Sequence, residues 1–267
     1  MSVREIAALI GAGLLLAGVP VATAQAAPAA TATVSVLHGV PGATVDVYAN
    51  GKKLLTNFKP GTLTDPLQLP EGDYDLKVTA AGQTAALIQA NDVAVPGGAN
   101  VTVVAHLDAG GKPVLTPFVN DTSKLDAGQA RLTVRHTAAA PAVDVRAGGK
   151  PVFKDLTNPK EAKADLPAGT VKADVVLAGT STVALGPADV NLKEGTNTIV
   201  YAWGSASAKN LKLAVQTISG LHGNPSGVPG GTGGQASTQQ PVWPALVAGL
   251  LALVLVGGGA AAIRVRA

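Results

Sequence analysis

"LHGVPGATVDVYANGK" at residues 37–52 returns as "RHTAAAPAVDVRAGGK" at residues 135–150. Each copy holds a histidine (His38, His136), an aspartate eight positions later inside Val-Asp-Val (Asp46, Asp144), and then Gly-Lys. The chain has only four histidines, so two at matching places need a reason. A metal site, an acid–base pair and the shared framework of a duplicated fold all fit the bare recurrence.

The repetition continues on both sides of the question. "LPEGDYDLKVTAAG" (69–82) aligns with "LPAGTVKADVVLAG" (166–179), and "NDVAVPGGANVTVVAH" (91–106) with "ADVNLKEGTNTIVYAW" (188–203). A period of this length far exceeds a solenoid unit and fits two tandem domains. Their expected extents are 32–121 and 129–218, joined by "NDTSKLDAG" at 120–128.

Within each copy the pattern is β. Val34, Val36, then Val45, Val47, then Leu76, Val78 alternate with polar or small residues, the period of a half-buried strand. Asn50-Gly51 and Gly148-Gly149 suit two-residue hairpin turns that need positive φ. About seven short strands per copy predict an all-β fold of two tandem immunoglobulin-like antiparallel sandwiches. By strand parity His38 faces the core, where a neutral imidazole can bond a loop carbonyl or amide. Asp46 has the opposite parity, so it faces outward or bonds the neighbouring turn backbone.

These residues resemble a known family, the bacterial domain of unknown function 4397. The resemblance rests on His38, Pro41, Val45-Asp46-Val47-Tyr48 and Asn50-Gly51, and in the second copy on His136, Pro141-Ala142-Val143-Asp144-Val145. The Leu-Pro-x-Gly at 69–72 and 166–169 is also similar to the family, whereas Arg146 replaces its aromatic residue. The resemblance implies an exported β-sandwich, often in tandem, and no established reaction.

Chemistry finds little else to build on. A metal site needs three or four convergent ligands. Each repeat offers one His and one Asp, and where the first has His106 the second has Trp203. No cysteine exists, and no serine sits in a Gly-x-Ser-x-Gly turn. Asp73 and Asp75 flank Tyr74 without the acidic loop that calcium needs. Aromatics make up 3% of the chain, too few for an evident sugar platform. The net charge of +3 owes much to the ends. Setting aside Arg4, Glu5, Arg264 and Arg266 leaves 17 basic and 16 acidic side chains, well mixed, which argues against nucleic acid.

The two ends supply the address. Residues 1–26 read as a signal peptide, an apolar run closed by Ala24-Gln25-Ala26, with Ala24 and Ala26 at the positions signal peptidase reads. Residues 219–241 are rich in Gly, Ser, Thr, Gln and Pro and read as a flexible tether, His222 included, with no role assigned to it. Residues 242–263 read as a transmembrane helix with Trp243 at its outer edge, and 264–267 as a cytoplasmic tail with Arg264 and Arg266 as positive-inside anchors. The upstream "GVPGGTGG" is a poor sortase motif, which favours a retained anchor.

The leading expectation is a non-enzymatic, membrane-anchored envelope protein with extracytoplasmic interaction or structural modules, partnered by an envelope protein or wall component. No cofactor is expected. A second expectation is a small-ligand or cation-binding module that uses His38, Asp46, His136 and Asp144. A third is a hydrolase without a recognisable motif.

Overall fold

A computed structural model describes residues 29–223. The signal peptide with Ala24 and Ala26, the transmembrane helix and the cytoplasmic tail lie outside the described residues.

Among the described residues sixteen strands form, eight per repeat. The first repeat contains β1 (Thr31–His38), β2 (Val45–Ala49), β3 (Lys52–Phe58), β4 (Leu67–Pro70), β5 (Gly72–Ala80), β6 (Ala86–Val95), β7 (Asn100–Leu107) and β8 (Pro113–Val119). The second contains β9 (Gln129–Ala139), β10 (Val143–Ala147), β11 (Lys150–Leu156), β12 (Glu161–Pro167), β13 (Gly169–Leu177), β14 (Val183–Leu192), β15 (Asn197–Ser205) and β16 (Lys212–Ile218). The fold is all-β, in four four-stranded sheets ordered β4-β1-β7-β8, β3-β2-β5-β6, β12-β9-β15-β16 and β11-β10-β13-β14. The hairpins at Asn50-Gly51 and Gly148-Gly149 form as two-residue loops, with φ positive at all four positions.

Two features differ from the expectation. The eighth strand is the short β4 and its counterpart β12, each paired with the repeat's first strand. The strand order is also not that of an immunoglobulin domain, where the first two strands share a sheet. Here β1 and β2 lie in opposite sheets, and β1 runs parallel to β7 as β9 runs parallel to β15. The chain changes sheet at the loop following His38, so no hairpin joins those strands.

In each repeat the two sheets pack face to face. Val36, Val45, Val47, Phe58, Val78 and Ile88 form part of the first core, and Leu132, Val134, Val143, Val145, Phe153 and Val175 part of the second. The repeats are not independent modules on a loose linker. The outer faces of β4-β1-β7-β8 and β12-β9-β15-β16 bury Leu37, Val104, Phe118, Ile199 and Tyr201 in a cluster of their own. These strands are therefore covered on both sides, which explains the near-continuous apolar runs in "NVTVVAHL" and "NTIVYAWGS".

The linker is a strap. Asn120 is buried and donates to Asn100 Oδ1 (2.6 Å) and Thr102 Oγ1 (2.9 Å). Asp121 pairs with Arg131 at 2.8 Å and with Lys163. Leu125 is buried, and its N–H donates to Leu221 O at 2.7 Å. The start of the expected tether is likewise packed. Leu221 is buried, and the His222 ring lies against Gly195 so closely that no side chain fits there.

Candidate functional site

The duplicated His and Asp occupy equivalent places on opposite faces of their surroundings. His38 ends β1 and points into the first core, where its ring stacks on Phe58 with centroids 5.8 Å apart. Its Nε2 donates to Ala43 O at 2.8 Å, while Nδ1 faces the Val40 N–H at 3.4 Å. His136 repeats the bond, with Nε2 donating to Pro141 O at 2.9 Å, and its Nδ1 meets no protein partner. Each ring therefore fixes the loop that carries the chain from one sheet to the other. A cavity of about 40 Å³ beside His38 is lined by apolar side chains such as Val34, Val45 and Leu76. Ligand pockets run to roughly 300 Å³ and more, so this one is too small for an organic ligand.

Asp46 is buried and clips three elements together. Its carboxylate accepts from the Asn57 N–H (2.9 Å), the Gly82 N–H (3.2 Å) and Lys53 Nζ (2.8 Å). Asp144 accepts from the Asp155 N–H (2.9 Å) and the Gly179 N–H (3.1 Å), with no lysine bond. Asn57 and Asp155 both have positive φ, 53° and 52°, so each clip holds a left-handed residue at the end of β3 or β11. Of the two sequence-based options for Asp46, the structure places it on the turn backbone. It is not facing outward. No hydrogen bond joins either histidine to its aspartate.

The electrostatics follow from these bonds. Lys53, then the Asn57 and Gly82 amides, hold the Asp46 carboxyl down at about 2, and the Asp155 and Gly179 amides lower Asp144. A depressed carboxylate contributes stability that is present above the unfolded value near 3.9 and is lost as pH falls through the native value. Asp46→Ala is expected to lower the urea midpoint at pH 7 and to flatten its fall between about pH 4 and pH 2. Asp144→Ala should do the same more mildly, because it lacks the lysine and is less buried. Equal midpoints for either variant and the parent at pH 7 would refute the clip.

Burial pushes His38, His136 and His106 below the ordinary imidazole value, against the opposing pull of their carbonyl bonds. The unfolded chain binds protons near pH 6.5 while the native rings stay neutral. Stability is thus intact above that pH and falls as pH drops through it, by up to about 1.4 kcal/mol per pH unit for each ring. Urea midpoints at pH 7.5, 6.5 and 5.5 should decrease in that order. A flat series would contradict the neutral buried rings.

Among the described residues no three His, Asp or Glu side chains gather as a metal would require. A cleft of about 580 Å³ opens where loops of both repeats meet, lined by residues such as Gly110, Gly111, Ala140, Pro141, Ser205 and Ser207, none of them charged.

The denser polar construction lies between the repeats, where sequence reading assigned nothing. Arg135 is 1% exposed, with its guanidinium 4.4 Å from the Phe118 ring centroid and 5.3 Å from that of Tyr201. Its Nε donates to Glu161 (2.8 Å) and its terminal nitrogen to Tyr201 Oη (2.8 Å). Tyr201 donates to Gln216, which also accepts from Thr102 Oγ1 at 2.9 Å across the interface. Burial raises the Tyr201 phenol, keeping it a donor. Asn158 donates to Leu107 O of the first repeat (2.8 Å) and Ala138 O of the second (2.6 Å). The only sequence signal was Arg131 and Arg135 on one face of β9, which reads as an ordinary solvent face.

No curated protein matches the chain. A family model described as "Domain of unknown function (DUF4397)" matches residues 32–146, covering the first sandwich and running past His136 and Asp144 to Arg146 in β10. The second sandwich is similar in its sheets and its His and Asp bonds, but the family model finds one copy. Residues 32–146 thus carry one DUF4397 domain.

Proposed function

We propose that the chain is a non-enzymatic, membrane-anchored envelope protein whose paired β-sandwiches are held outside the membrane as an interaction or structural module. One observation supports this most. The polar groups that recur between the repeats, His38 with His136 and Asp46 with Asp144, are used in bonds to their own loops and turns. A catalytic or ligand-binding reading needs those groups free and convergent, and it has no comparable support here.

The address rests on sequence. The Ala24-Gln25-Ala26 end of the leader favours export, and the uncharged residues 245–263 followed by Arg264 and Arg266 favour a single retained helix with its short tail inside. Fractionation of cells making the full chain tests both. The protein should pellet with membranes, dissolve in detergent, and have its sandwiches digested by protease added outside. Recovery covalently attached to wall material, or free in the cytoplasm, would overturn the reading. Crosslinking on intact cells followed by purification should then return a reproducible envelope partner.

A further inference from the structure

We propose that strand β16 is a pairing edge, and that its occupant is β16 of a second copy of this chain, antiparallel, joining two β12-β9-β15-β16 sheets into one.

The duplication supplies an internal comparison. Val103 pairs with Pro117 in β7–β8, and the equivalent Val200 pairs with Val215 in β15–β16. Pro113 and Pro117 deprive the β8 edge of backbone donors. Strand β8 also closes against β6, while β14 and β16 stand further apart. The second repeat carries an open edge where the first carries a protected one. Leu213 and Val215 are 37% and 56% exposed there, and behind Leu213 an apolar slot runs in toward Leu185, Val190 and Val200.

The other edges carry the usual defences. Strand β4 has four residues, and β12 alternates Glu161, Lys163 and Asp165 outward. Strands β3, β6, β11 and β14 have irregular register with their neighbours, and β14 also contains Pro187. Among the edge strands of the described residues, β16 alone is regular, proline-free and seven residues long. A groove of about 360 Å³ runs along it, walled on the far side by Leu63–Pro66 of the first repeat.

The sequence of the strand, "KLAVQTI", is compatible with itself. An antiparallel register centred on Val215 sets Val215 against Val215, Leu213 against Thr217 and Ala214 against Gln216. The single charge, Lys212, then faces Ile218, so no like charges meet. The chain's own segment after Gly223 is a poor occupant, because residues 224–241 are rich in Gly and Pro and lack alternating apolar residues.

The chain has no cysteine, so single thiols report position cleanly. Val215→Cys in the full chain, in native membranes and treated with a short bismaleimide, should give a product twice the monomer mass, since opposed Cβ atoms lie about 5 Å apart. The yield should exceed several-fold that of Val119→Cys, which is comparably exposed (60%) on the protected edge. Adding Leu213→Lys to the Val215→Cys chain should abolish the product while circular dichroism keeps its β signal. Equal yields at Val119 and Val215, no dimer at Val215, or a product with a different protein would each overturn the proposal.

Discussion

Arg135→Ala is expected to cost about 3 kcal/mol of folding stability, read as a lowered urea midpoint with the slope unchanged. The side chain does three things between the repeats. It stacks on Phe118 of the first and Tyr201 of the second, bonds Tyr201 Oη, and pairs with Glu161. Removing it leaves a void in the interface and forfeits the packing of its stem. Breaking a buried pair typically costs about 3–5 kcal/mol. The low end applies here because the Glu161 side chain is 33% exposed and can be rehydrated, and Tyr201 keeps its bond to Gln216. Arg135→Lys should recover little, since an ammonium cannot serve both acceptors and lie flat on two rings. Arg135→Met should cost less than Arg135→Ala, because it refills the space without a charge to satisfy. If Ala and Met cost the same, the loss is of charge and not of packing.

Trp203→Ala is expected to cost about 3–5 kcal/mol, the range for emptying a buried tryptophan site. Trp203 is buried, on the face of β15 that meets the first repeat. There its ring lies over Gly61, where a Cβ would sit 2.8 Å from Trp203 Cζ2, and its Cβ is 3.2 Å from where one on Gly39 would be. Gly61 also has φ of 80°, strained for any side chain. Gly61→Ala should therefore destabilise from the other side by about 2 kcal/mol, combining backbone strain with overpacking. Because the two residues touch across the junction, the double variant should cost less than the sum of the singles. Strict additivity would mean that the ring and the glycine loop do not depend on each other.

How much of this was legible from residues alone depends on how local each feature is. The hairpins at Asn50-Gly51 and Gly148-Gly149 were legible because a two-residue turn with positive φ needs those residue types. The inward histidine was legible from strand parity, and so was the carbonyl it would seek. The Asp46 clip was half legible. Its parity was right, but the side on which β3 and the β5–β6 turn would close over it is a matter of tertiary arrangement. Strand order was not legible, because nothing local tells β1 to pair in parallel with β7 and not with its sequence neighbour β2. The inter-repeat face was the largest omission. Leu37, Val104, Ile199 and Tyr201 break the alternation of their strands, and continuous apolar runs signal a strand covered on both faces. The alternation of Val34, Val36, Val45, Val47, Leu76 and Val78 carries no sign of that second covered face. The aromatic residues Phe118, Tyr201 and Trp203 belong to that junction.

The buried junction should make the two sandwiches open as one cooperative body. Amide hydrogen exchange over residues 29–223, with and without Val47→Ala, distinguishes one body from two, because Val47 lies in the first core, away from the junction. One body predicts that the slowest amides in both repeats, those of Val78 and Val104 as well as Val145 and Val175, exchange through the same global opening. All should then lose protection by the same factor in the variant. Loss confined to residues 31–119, with Val145 and Val175 unchanged, would mean that the two sandwiches open separately.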